Sequence, residues 1–186
     1  LGVLYYEGKG QIDDAIDAYK KALAIRPVYP EVHNNLGEIH LKQGLMDDAV
    51  REFNLALEQK PDFAVAQNNI GKVLMAKKRY DKAIDIFNKV IAQSPDFIEA
   101  YYNLGRAYDE KGDVDEAIII IRQVVLKQPS YPEAYNTLGI LYTKKGIYDE
   151  AIGFLKKAIE QDKDFTDAYF NLGKAYLNLR VFDKAT

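Results

Sequence analysis

One stretch, Pro30 to Phe63, returns along the chain at a fixed interval, and that interval constrains the fold more than any single residue. The glycine of its Leu-Gly pair (once Ile-Gly) is Gly37, then Gly71, Gly105, Gly139 and Gly173, each step being 34 residues. The same offset carries Ala49 to Ala83, Ala117, Ala151 and Ala185, and Pro61 to Pro95 and Pro129. A fixed period of this length marks a solenoid of supersecondary units, each too small to bury its apolar face alone.

Each unit reads as two helices. In the first copy Val32, Leu36 and Ile39 recur at helical spacing, and Ala49, Val50, Phe53, Ala56 and Leu57 form a second apolar stripe. Gly44, between them, suits the left-handed conformation that ends a helix. Asp13, Asp47, Asp81, Asp115, Asp149 and Asp183 stand at the start of every second helix. There negative charge complements the helix dipole and can cap free amides. All six prolines fall at unit boundaries, where they forbid the helix to continue. Small residues predict the close approach: Gly37 and Ala49 are expected to face each other across the pair, with Phe53, Phe87, Ile121 and Leu155 filling the space beside them.

The unit from Ile98 to Tyr131 displays Tyr101, Leu104, Gly105, Tyr108, Ala117, Ile121, Val124 and Pro129. This pattern resembles the tetratricopeptide repeat (TPR), and the resemblance covers essentially the whole chain. It implies an all-α fold of antiparallel helix pairs stacked into a right-handed superhelix, with a concave groove lined mainly by first helices.

A single array is therefore expected, with a partial repeat at 1–29, full repeats at 30–63, 64–97, 98–131 and 132–165, and a partial repeat at 166–186. In the first partial repeat the spacing is one residue too long, read as an insertion near Gly8-Lys9-Gly10; its second helix is expected at about Asp13 to Ile25. Lys78 replaces the turn glycine of the 64–97 repeat and, with Lys77 and Arg79, forms a small basic knob, read as a solvated turn. Gly153 falls inside a second helix, where close helix contact is one reason to have it. The last 21 residues read as one first helix and the start of a second. Neither end carries a polar capping helix, as expected of a piece of a longer array, and the uncapped ends are candidate surfaces for self-association.

Composition narrows the function. The net charge is −3 and the isoelectric point about 5.5, which argues against a nucleic-acid backbone as partner. No cysteine is present, so disulfides and thiolate metal sites are out. No apolar run approaches the roughly 20 residues that span a bilayer, so direct membrane insertion is not expected. The cytoplasm is the favoured compartment, with a bacterial periplasm as the alternative. His33 and His40 lie seven residues apart on one helix, without the four-residue spacing and intervening Glu of a zinc protease, and read as structural. No nucleophile–base–acid set and no phosphate-cradling glycine loop are evident. Neither catalysis, a cofactor nor a metal is expected.

The informative series is polar. The residue before each Leu-Gly pair is Asn35, Asn69, Asn103, Thr137 and Asn171, with Asn136 beside the odd rung. An amide both donates and accepts, so a ladder of them can hold a peptide backbone whatever its side chains. The alternative is that these amides bridge neighbouring first helices without any ligand. The ladder resembles that in the TPR superhelix of O-linked N-acetylglucosamine transferase, which implies an extended polypeptide ligand. Lys72, Arg106 and Lys174 add positive spots, and Tyr102 and Phe170 add apolar anchors on the same side. A second TPR subclass clamps the acidic C-termini of chaperones with Lys; Glu31, Glu99, Glu133 and Asp167 stand where the clamp needs cations, so that ligand is rejected. The expected function is a protein-interaction scaffold binding an extended peptide or a partner helix in the groove. The alternatives are a substrate-recognition array of a larger enzyme, such as a glycosyltransferase, and a self-assembling structural scaffold.

Overall fold

The computed structural model describes the backbone of residues 11–185 and the side chains of 11–180. Ten helices and no strands occur among the described residues: α1 (Ile12–Ile25), α2 (Pro30–Lys42), α3 (Met46–Gln59), α4 (Ala64–Ala76), α5 (Tyr80–Gln93), α6 (Ile98–Lys111), α7 (Val114–Lys127), α8 (Pro132–Lys144), α9 (Tyr148–Gln161) and α10 (Thr166–Ala185). The expected insertion near Gly8-Lys9-Gly10 lies outside the described residues. The chain divides into two compact units, Leu1–Pro95 and Asp96–Thr186.

The turn inside each pair follows from one backbone conformation. Gly44, Gly112 and Gly146 take φ of 78°, 99° and 74°, and Lys78 takes 57° at the matching place. The chain reversal then returns an amide to an orphan carbonyl, Leu45 N–H to His40 O at 2.8 Å and Asp113 N–H to Tyr108 O at 2.9 Å. The Asp residues contribute differently from expectation. Asp47, Asp81, Asp115 and Asp149 lie in the first turns of their helices, but no side chain caps those helix starts. Asp47 instead accepts from Lys77 Nζ of the next repeat at 2.6 Å, and Asp115 pairs with Lys145 in the same way. Between repeats, Gln59 donates to the Pro27 carbonyl and Gln161 to that of Pro129, so the boundary prolines also offer acceptors.

The glycine series packs against a different residue from the one expected. A Cβ built on Gly37 would come within 2.5 Å of the Phe53 ring, and one on Gly71 within 2.4 Å of Phe87. In the second unit Ile121 lies 2.5 Å from the corresponding position of Gly105, and Leu155 2.3 Å from that of Gly139. The glycine therefore makes room first for the large residue of the second helix; at Gly105 the Ala117 carbonyl also stands 3.5 Å from the Cβ position. Ala49, Ala83, Ala117 and Ala151 are themselves fully buried.

In the first unit Ala15, Tyr19, Val32, Leu36 and Ile39 form one apolar cluster and Ala49, Phe53 and Val73 another. In the second unit Ala151, Ile152, Leu155 and Ala175 gather between α9 and α10. Gly153 is exposed with nothing within 4 Å, so close helix contact does not account for it. The last segment also departs from expectation. Its helix runs unbroken for 20 residues, with no turn between a first and a second helix. Arg180 occupies the turn position and, unlike Lys78 at the matching place, stays helical.

Candidate protein-interaction face

Every candidate residue lies on a first helix. In the first unit Asn34 on α2 is buried, and its Oδ1 accepts from Asn69 Nδ2 on α4 at 2.9 Å. Asn69 also donates to Glu38 Oε1 at 2.9 Å and is only 1% exposed. Asn35 is half-buried and donates to the Tyr19 hydroxyl at 3.2 Å. Burial raises the pKa of that hydroxyl despite the hydrogen bond from Asn35. Lys72 is half-buried.

The second unit repeats the device. Asn136 on α8 accepts from Asn171 Nδ2 on α10 at 3.0 Å. The amide two residues before a glycine thus reaches the amide three residues before the preceding one, in both units. Asn103 on α6 is 5% exposed. The expectation of an exposed amide stripe is therefore corrected: Asn69 and Asn103 are buried, and Asn69 and Asn171 tie neighbouring first helices together. Sequence reading included Asn136 but passed over its counterpart Asn34, although both stand three residues before a glycine, Gly139 and Gly37.

Thr137, which breaks the series, returns its hydroxyl to the Glu133 carbonyl at 2.8 Å and lies 3.2 Å from the Tyr102 hydroxyl. Tyr102 is half-buried, its ring 5.2 Å from that of Tyr131. The Tyr131 hydroxyl is pushed up to about 12 by burial and then by the neighbouring Tyr102, Glu133 and Glu99. What remains open on this face is mixed: Glu31, Glu99, Glu133 and Asp167 are exposed at the helix starts, and cationic and aromatic groups lie further along. Arg106 is exposed on α6. On α10 Phe170 is 66% exposed, with Lys174 Nζ 5.6 Å from its ring centroid. The histidines sit elsewhere: His33 is half-buried with Nδ1 2.8 Å from Glu52 Oε2. Among the described residues no group of three or more His, Cys, Asp or Glu could hold a metal ion, and no helix is long and apolar enough to cross a membrane.

Family profiles for the tetratricopeptide repeat match residues 30–63, 47–96 and 74–140, and a profile described as TPR repeat matches 2–44 and 141–179. The chain belongs to the tetratricopeptide repeat family. Among solved structures this TPR chain is similar to MamA, at 32% identity over 83% of this chain and 90% of that one, with a TM-score of 0.68. PilW, titled a widely conserved type IV pilus biogenesis factor, shares 24% identity over 96% of this chain and 84% of its own, with a TM-score of 0.83. YrrB, titled a TPR protein with an unusual peptide-binding site, shares 23% over 89% and 85%, with a TM-score of 0.66. No curated protein matches the chain. TPR membership supports a role as a protein-interaction scaffold.

Proposed function

We propose that this TPR chain binds an extended segment or a helix of a partner protein on the face lined by its first helices. The observation that carries the reading is the pair on α10: a phenylalanine left two-thirds exposed, with a lysine ammonium above its ring. Aromatic side chains and arginine carry much of the binding energy at interfaces, and a rigid aromatic ring buries much area at low entropic cost. Arg106 occupies on α6 the place that Lys174 occupies on α10, so cationic groups recur on this face of the second unit. The Asn series then acts chiefly by fixing the spacing of the first helices, so that Tyr102, Arg106, Phe170 and Lys174 are presented on a rigid frame. In the first unit Lys72 has the matching position. YrrB, described as having a peptide-binding site, shares the fold and lends support at that level.

The test is a fluorescence-polarisation titration of peptides selected from a random array. Phe170→Ala should weaken binding by about 1–3 kcal/mol, and Arg106→Ala by about 1 kcal/mol. Both side chains are exposed, so circular dichroism should be unchanged. Equal binding by both variants, or no peptide retained by the wild type, would overturn the reading.

A further inference from the structure

The first-helix stripe of α2 reverses the charge of its counterparts. Glu38 stands in the register that Lys72, Arg106 and Lys174 occupy on later first helices. Glu31, two turns earlier and about 10 Å along the same helix face, is exposed and also acidic. Glu38 itself is half-buried and held in place. Its Oε1 accepts from Asn69 Nδ2 at 2.9 Å and from Asn34 Nδ2 at 3.4 Å. A carboxylate only accepts, so both amides turn their N–H groups toward it. Asn35, one turn earlier, is fixed by its bond to the Tyr19 hydroxyl. Burial pushes that hydroxyl up and the Glu38 charge adds to the rise, so the carboxylate lies close by. Glu38 Oε2 has no partner among the described residues, and none of their cations pairs with the carboxylate. Packing does not demand an acid at this place. In the second unit Asn171 bridges to Asn136 at 3.0 Å with Ile140 where Glu38 would stand, so the amide bridge forms around an aliphatic residue just as well. A half-buried charge without a counter-ion costs free energy that a ligand cation offsets.

Resting on the first-helix reading above, we propose that the partner segment carries a lysine whose side-chain ammonium docks on Glu38. The carboxylate is already oriented by Asn34 and Asn69, so a cation gains the contact without first ordering a flexible side chain. Glu31 on the same stripe adds negative potential along the approach. The choice of ammonium follows from the oxygens. A guanidinium fork matches a carboxylate through both of them, and Oε1 is already spent on two amides. An ammonium is a point charge that needs only Oε2. Its further N–H groups find an acceptor in Asn35 Oδ1, which has no partner among the described residues.

The probes are synthetic peptides selected from a random array by the wild-type chain at low salt. Lysine should be enriched at one position among them. Norleucine at that position keeps the apolar stem without the charge and should bind about tenfold more weakly; arginine should bind about threefold more weakly. In the protein, Glu38→Gln keeps an acceptor for Asn69 and removes the charge. It should bind the lysine peptide about tenfold more weakly, no longer prefer lysine to norleucine, and lose most of the fall in affinity with added salt. Glu38→Ile, which copies Ile140, should behave alike, and circular dichroism checks that both variants are folded. Peptides retained without an enriched lysine, or held equally by the wild type and both variants, would overturn the proposal and leave the first-helix reading standing. Equal weakening of lysine and norleucine peptides by Glu38→Gln would do the same, since the carboxylate would then act through the fold. Arginine binding more tightly than lysine refutes the ammonium. A wild type that retains no peptide overturns this proposal and the first-helix reading together.

Discussion

Replacing Gly139 and Gly173 by alanine, one at a time, tests the packing rule directly, because the two glycines are equivalent by period and opposite by environment. A Cβ on Gly139 would lie 2.3 Å from Leu155 Cγ and within 3.0 Å of both its methyl carbons. Favourable carbon–carbon contact needs about 3.5–4.0 Å, so Leu155 or the helix must give by about 1 Å. Leu155 is fully buried and its Cγ is a branch point, so the strain cannot be shed by swinging a flexible end into solvent. Overpacking of this kind costs about 1–3 kcal/mol. At Gly173 the added methyl meets nothing. Both changes gain the same roughly 1 kcal/mol of helix propensity, which cancels when they are compared. Gly139→Ala should therefore fall below Gly173→Ala by about 1–3 kcal/mol, a melting-temperature gap of about 2–10 °C for a chain of this size. Urea titrations followed by circular dichroism, with thermal scans beside them, read the gap. If the two midpoints coincide, the notch between glycine and second-helix side chain does not set the helix spacing.

Asn69→Ala should destabilise the chain by about 1–3 kcal/mol, since it strips two hydrogen bonds from a buried cluster and leaves Asn34 and Glu38 short of a donor; urea denaturation checks it. Lys78→Gly should stabilise by about 1 kcal/mol, because the lysine holds a φ of 57° that glycine adopts without steric cost, and the melting temperature should rise accordingly. The Asp47 carboxyl is held below its ordinary value, chiefly by the hydrogen bond from Lys77 and then by that cation's charge. A carboxyl lowered by folding adds stability above its unfolded pKa of about 3.9 and loses it as the pH falls through the folded value. Asp47→Asn should accordingly flatten the acid limb of a stability-versus-pH curve below about pH 4 and leave the basic limb unchanged.

The amides mark the boundary between what was legible and what was not. The sequence presents Asn35, Asn69, Asn103 and Asn171 as equivalent, and equivalence by period is real: Asn69 and Asn171 make the same bridge to Asn34 and Asn136. Whether such an amide faces solvent or a neighbouring helix depends on how closely two first helices approach, which no spacing within one helix reports. Asn35 illustrates this, since it shares the register but finds the Tyr19 hydroxyl instead. Gly153 is a similar case, a glycine inside a helix that reads as a close contact and faces open space.

By itself the sequence determined the helical class, the 34-residue spacing, the turn glycines and the pairing of first and second helices from Pro30 to Gln161. These follow from local rules: apolar periodicity, the conformations open to glycine and proline, and repetition that makes one unit predict the next. Only the tertiary structure decided that Gly37, Gly71, Gly105 and Gly139 receive Phe53, Phe87, Ile121 and Leu155 rather than the alanines. It likewise decided that Asn69 is spent inside the molecule, and that α10 runs on through the turn position with Gly173 uncovered. The reason is direction. A helical side chain leans back toward the N-terminus of its own helix, so the residue it meets on another helix is set by crossing geometry and side-chain reach, quantities a linear period does not contain.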